Sequence, residues 1–84
     1  MIKIEITKDD PEYRGHTKFK KGMIGYITKE TQAQTANYEA HPGWSEERKK
    51  EKVTRVRFAA GMMGYEGREP VFCWVPNKIF KVVK

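Results

Sequence analysis

The sequence contains a single cysteine and no long apolar run. One cysteine in 84 residues cannot form an intrachain disulfide. No basic and apolar signal segment opens the chain, so we expect a reducing, cytoplasmic compartment. No apolar stretch approaches the ~18 residues of a membrane-spanning helix, which predicts a soluble protein without a membrane partner. We expect one domain over residues 1–84, because a dinucleotide-binding fold or an α/β barrel needs far more chain.

Residues that bind metals are few and scattered. His16, His41 and Cys73 lie far apart, and neither a Cys-x-x-Cys nor a His-x-x-x-His pair occurs. A structural zinc site needs four ligands and usually contains such local pairs, so no metal is expected. Cys73 lies between Phe72 and Trp74. That apolar setting predicts a small buried side chain rather than a reactive thiol.

The sequence also lacks a set of residues that would predict catalysis. The acids Asp9, Asp10 and Glu12 flank a proline in a polar segment, which predicts a solvated turn rather than an acid/base pair or a Mg²⁺ site. The glycines of residues 61–70 precede a strand and fit neither a dinucleotide nor a P-loop motif, so a flexible hairpin loop is expected. With no combination of nucleophile, base and orienting group, we predict a protein that is not an enzyme and binds no cofactor.

Positive charge is concentrated in the C-terminal half. The chain carries 17 Lys and Arg against 11 Asp and Glu, a net charge of +6. Residues 1–42 contribute +1 of this charge and residues 43–84 contribute +5. Such an excess accelerates encounter with polyanions or acidic protein surfaces, although salt screens it beyond about 8–10 Å.

Alternation of apolar and polar residues predicts a mainly β protein. Residues 1–7 and 53–60 alternate with the period of a half-buried strand. A second strand is expected over residues 18–29, long and bent at Gly22 and Gly25, because glycines in strands mark bends or close approaches. The other predicted strands are an aromatic strand at 71–75 and, after one turn at Pro76-Asn77-Lys78-Ile79, a short strand at 80–84. The expected core includes Ile4, Phe19, Ile27, Val56, Phe58, Trp74 and Val82.

Residues 30–52 interrupt this pattern with one long insertion between the second and third strands. His41-Pro42-Gly43 ends whatever structure precedes it. Residues 44–52 could form a short helix, polar all round, for which Ser45 is a suitable N-cap. The insertion is predicted to be partly helical or mobile, and loops of this length in compact domains are usually functional or disordered.

Two segments resemble the SH3-like barrel superfamily. The run Phe72-Cys73-Trp74-Val75-Pro76-Asn77-Lys78-Ile79-Phe80-Lys81-Val82-Val83 resembles the end of such barrels, where an aromatic strand, a proline, a 3₁₀ turn and a closing strand follow one another. Lys21-Gly22-Met23-Ile24-Gly25-Tyr26-Ile27 is similar to the glycine pattern of KOW-type modules found in ribosomal and transcription factors. The resemblance implies a single five-stranded SH3-like barrel and, for KOW-type modules, contact with RNA.

Basic and aromatic residues are the best candidates for a binding surface, because arginine and exposed aromatics contact both nucleic acids and proteins. The candidate partner-binding residues are Lys20, Lys21, Tyr38, Trp44, Arg55, Arg57, Tyr65, Arg68 and Lys78. The favoured hypothesis is an accessory or inhibitor protein, phage-encoded or associated with a ribosome or polymerase, that docks on a larger acidic protein. The alternative is a module that binds RNA or DNA phosphates through Lys20, Lys21, Arg55 and Arg57.

Overall fold

A computed structural model describes residues 1–10, 19–59 and 71–84. The described chain is mainly β, with five antiparallel strands in one curled sheet of order β4-β3-β2-β1-β5. The strands are β1 (Ile2–Ile6), β2 (Ile24–Ile27), β3 (Val53–Phe58), β4 (Val71–Pro76) and β5 (Phe80–Val82). The helices are α1 (Lys29–Ala36), α2 (Glu46–Lys49) and a 3₁₀ turn (Asn77–Ile79). The predicted small barrel-like fold, with a partly helical insertion between the second and third strands, is confirmed.

The concave side of the sheet encloses the core. Alternation in β1 buries Ile4 and Ile6, and alternation in β3 buries Val56 and Phe58, as the period-two pattern predicts. Among the described residues, the buried apolar cluster is Ile4, Ile6, Phe19, Val56, Phe58, Val75 and Ile79. Four of the seven residues predicted for the core therefore belong to it, and Ile27 packs partly buried against it.

Two of the predicted core residues were assigned wrongly. Trp74 pairs with Arg55 in the β3–β4 ladder. Arg55 faces outward because its neighbour Val56 is buried, and residues directly opposite each other share a face of the sheet. Trp74 therefore lies on the outer face, and Val75 points into the core instead. Val82 is 51% exposed because it ends the edge strand β5. The apolar pattern of β4 nevertheless agrees with a strand that packs on both faces.

Two glycines determine how the chain enters β2, which is shorter than predicted. Gly22 has φ = +95°, a conformation that only glycine adopts at low cost, and its N–H donates to the carbonyl of Ile6. Gly25 lies within β2 opposite Ile4, and a Cβ there would approach the side chains of Val56 and Phe58. The bend at Gly22 therefore precedes the strand, and the close approach occurs inside it.

Helix α1 lies largely within the insertion that was predicted to be partly helical, but its bounds could not be predicted because it has no apolar stripe. A capping box begins it: the side chain of Thr28 accepts from the N–H of Thr31 at 3.1 Å, and the side chain of Thr31 accepts from the N–H of Thr28 at 2.7 Å. Only Thr31 of this helix is buried. Local capping and polar contacts with β3, rather than hydrophobic periodicity, define the element.

We expect Thr28→Ala to destabilise the protein by about 1 kcal/mol, because it removes one half of this capping box. Urea denaturation followed by circular dichroism measures the change. The matched control is Ser45→Ala, which removes the N-cap bond to the N–H of Arg48 in α2, a four-residue helix that buries no residue. A loss for Thr28→Ala no larger than for the control would contradict the structural role assigned to α1.

The acidic segment after β1 differs from its prediction. Asp9 is exposed, and its carboxylate accepts from the N–H of Lys21 at 2.8 Å. Asp10, however, is only 1% exposed, and its N–H donates to the carbonyl of Phe19. A solvated turn is thus the wrong description for Asp10, whereas Glu12 lies outside the described residues.

Several other predictions also fall outside the described ranges, including the glycine-rich connection before β4 and the candidate residues Tyr65 and Arg68. Within the described part of the chain, none of the helices has the length and apolar character needed to cross a membrane.

Candidate functional site: an aromatic and arginine row on the outer face

Pairing between β3 and β4 positions arginines beside aromatic rings on the outer face. Arg55 is opposite Trp74, and Arg57 is opposite Phe72. The guanidinium carbon of Arg55 lies 4.9 Å from the ring centroid of Trp74 and 6.0 Å from that of Phe72. Such contacts are within the range of cation–π attraction. The β ladder therefore provides the rigid half of the site.

The insertion provides the other half. The ring of Tyr38 lies 4.7 Å from Trp74 and 6.1 Å from Trp44, measured between centroids. The guanidinium of Arg48 lies 4.6 Å from the ring of Trp44. The continuous series Arg48, Trp44, Tyr38, Trp74 and Arg55 is called the aromatic–arginine row below. All five residues are partly buried, and none belongs to the apolar core.

A tight turn and a short helix place Trp44 and Arg48 in the row. The N–H of Trp44 donates to the carbonyl of His41, and the N–H of Gly43 donates to Nδ1 of the same histidine. Ser45 then caps α2, which brings Arg48, four residues after Trp44, to the same side. The segment His41-Pro42-Gly43, where the sequence predicts that regular structure ends, thus positions one end of the row.

Helix α1 anchors the other end through polar bonds. The backbone N–H of Arg55 donates to Thr35 Oγ1 at 2.8 Å, and its Nε donates to Gln34 Oε1 at 3.0 Å. Thr35 in turn donates to the carbonyl of Thr31. The first bond gives the backbone N–H of Arg55 a partner outside the pairing of β3 with β2. The second holds the guanidinium in a defined orientation.

Electrostatics single out Arg55 within the row. Burial lowers the pKa of its guanidinium from the ordinary value, and Cys73 acts in the opposite sense, yet arginine stays protonated in proteins. The ion pairs among the described residues are all formed by lysines, and none involves Arg55. Arg55 is therefore a partly desolvated cation with no carboxylate partner in the described chain.

A shallow groove of about 530 Å³ runs along α1 at this point. It is lined by Ala33, Gln34, Asn37, Arg55 and Trp74. The Nδ2 group of Asn37 donates to the carbonyl of Ala33, and Gln34 holds Nε of Arg55. The groove thus combines an apolar wall, two amides and one cation.

The other candidate residues are dispersed. Arg57 lies on the same face as Arg55, two residues further along β3 and opposite Tyr26. Lys20 and Lys21 are exposed in the turn before β2. Lys78 is exposed in the 3₁₀ turn, where its Nζ lies 3.5 Å from Glu51. The structure therefore joins Tyr38, Trp44 and Arg55 and leaves the lysines outside the row.

The sequence did not indicate that Gln34, Arg48, Phe72 or Trp74 belongs to this site. Phe72 and Trp74 alternate with inward-facing residues in β4, as Arg55 and Arg57 do in β3. The available signal was therefore the alternation of faces along each of the two strands. It required knowledge of which residues pair across the sheet.

A second groove of about 740 Å³ lies between the loop after β1, α2 and the 3₁₀ turn. Its walls carry both signs of charge, including Lys8, Arg48, Asp9 and Glu47. Within the described ranges, no group of three or more His, Cys, Asp or Glu residues is arranged to hold a metal ion. Cys73 is half-buried against the core.

The fold and the site define a small, mainly β domain with a partly buried aromatic–arginine row on its outer face. No protein-family model matches the sequence, and comparisons with curated proteins and with solved structures also give no match.

Proposed function

We propose that this protein is a non-enzymatic binding module that docks on an acidic surface of a larger protein through the aromatic–arginine row. The observation that carries the proposal is Arg55, a partly desolvated guanidinium on Trp74 with no described carboxylate partner. Desolvation of a charge is costly, and a carboxylate from a partner would offset that cost.

The composition of the row also supports docking on a protein. Tryptophan, tyrosine and arginine are the residues most enriched among those that dominate binding energy at protein interfaces. The rings pack on one another, and hydrogen bonds from α1 hold Arg55. A surface ordered before binding loses less conformational entropy on association, which favours affinity.

The ring contacts favour a protein partner over single-stranded nucleic acid. Base stacking needs an open aromatic face. Arg48 lies over the ring of Trp44, Arg55 lies over Trp74, and Tyr38 packs against both indoles. Much of the aromatic surface that a base would stack on is already used within the row.

The expected effect of Trp44→Ala is a roughly tenfold loss of affinity for the protein partner, because it removes the ring that joins Arg48 to Tyr38. The full chain is used to capture partners from the source cell, with and without nuclease. Affinity for the captured protein is then measured by calorimetry. Lys78→Ala, an exposed residue outside the row, is the matched control and should change affinity little.

The proposal is supported if one stoichiometric protein partner remains bound after nuclease treatment. That partner should no longer be captured by Trp44→Ala but should still be captured by Lys78→Ala. Circular dichroism must show that both variants stay folded. Equal binding by the two variants would refute docking through the row.

A second candidate function is contact with nucleic-acid phosphates. The outer face also carries Arg57 and Lys3, which lie on either side of Tyr26 in the sheet. If this function is correct, nuclease removes all partners. The logarithm of affinity for RNA or DNA then falls linearly with the logarithm of salt concentration.

A further inference from the structure

We infer that the groove along α1 is a binding site for a side-chain carboxylate of a glutamate- or aspartate-rich segment, with Arg55 as its anchoring residue. This inference rests on the proposed function and specifies its ligand chemistry. It is carried by the position of Arg55 in the groove, by the hydrogen bond that holds its Nε, and by the net positive charge of the whole chain.

Within the described chain, the guanidinium of Arg55 is hydrogen-bonded through Nε alone. Gln34 Oε1 accepts from Nε at 3.0 Å, and the ring of Trp74 lies beneath the group. Among the described residues, no hydrogen bond engages the two terminal Nη groups of Arg55. Two parallel N–H donors in this fixed fork match the two oxygens of one carboxylate.

The groove around Arg55 suits an extended acidic segment. It is a shallow, open groove of about 530 Å³, and the side-chain amides of Gln34 and Asn37 line it beside the cation. The whole chain carries a net charge of +6. That field favours a segment bearing several carboxylates over a single chain terminus, because each additional acid adds to the long-range attraction.

The test follows the Arg55 Nε–H and Trp74 indole signals of the full chain by NMR. The probe is hexaglutamate with an acetylated N-terminus and an amidated C-terminus. The comparison peptides are hexaglutamine with an amidated end and hexaglutamine with a free carboxylate. We expect saturable shifts at both groups with hexaglutamate, none with amidated hexaglutamine, and at most weak shifts with the free terminus.

Charge-conserving variants separate geometry from net charge. R55K keeps the positive charge but loses the fork, so affinity for hexaglutamate should fall about tenfold. R57K, two residues along the same strand face, is the matched control and should change affinity less than about threefold. Gln34→Glu places a carboxylate beside Nε, pairs Arg55 internally, and should also weaken binding about tenfold while the protein stays folded.

Equal losses for R55K and R57K, or a retained affinity with Gln34→Glu, would overturn the site. Tighter binding of free-ended hexaglutamine would assign it to a chain terminus. Larger shifts at Arg55 with oligothymidylate would assign it to nucleic acid. If any of these results occurs while partner capture still depends on Trp44, the carboxylate site alone is wrong. Loss of the Trp44 dependence refutes the proposed function itself.

Discussion

Phe58→Ala is expected to cost about 3–5 kcal/mol and to leave the domain largely unfolded at room temperature. The side chain is completely buried in the core cluster, and its ring lies 6.0 Å from that of Phe19 in a stacked arrangement. Removing it deletes apolar contacts and leaves a cavity that the surrounding strands fill only in part. Small domains have a stability of only a few kcal/mol, so a loss of this size exceeds or equals the total.

Circular dichroism and urea denaturation measure the effect. Val82→Ala is the control, since Val82 is also an apolar strand residue but is 51% exposed, and its loss should be within about 0.5 kcal/mol. A variant with alanine at position 58 that denatures at the same urea concentration as the unmodified protein would show that the core has been assigned wrongly.

Gly25→Ala should destabilise the protein by about 3 kcal/mol, the upper end of the range for overpacking. A Cβ at this position would lie 2.5 Å from Val56 Cγ1 and 2.9 Å from Phe58 Cε1. Both neighbours are completely buried, so neither can move without displacing β3 or the core. The requirement for glycine arises from space, since Gly25 has no positive φ.

A double-mutant cycle tests this cause. Val56→Ala removes the nearest methyl group, so the combined variant should lose less stability than the sum of the two single variants. Gly43→Ala is the control, because its added Cβ meets only the imidazole of His41, at 3.2 Å, and that exposed ring can move at the cost of its single hydrogen bond with the N–H of Gly43. Strict additivity between positions 25 and 56 would rule out the proposed steric conflict.

Much of the architecture follows from local sequence patterns. Alternation is a property of neighbouring residues, so it predicts β1 and β3, while the apolar run before Pro76 and the turn after it predict the final strands. The N-cap at Ser45 is equally local. Helix α1 lacks a local apolar signal, because it is held by the box between Thr28 and Thr31 and by bonds to Arg55.

The candidate site depends on sheet register and on the path of the insertion. The sequence by itself determined the residue types: the arginines of β3, the aromatics of β4, and Tyr38 and Trp44 between two strands. Only the tertiary structure decided that Trp74 shares a face with Arg55, because a shift of one residue in β3–β4 pairing would place it in the core. Tyr38 and Trp44 join that face because α1 docks on β3, a contact between segments far apart in the chain.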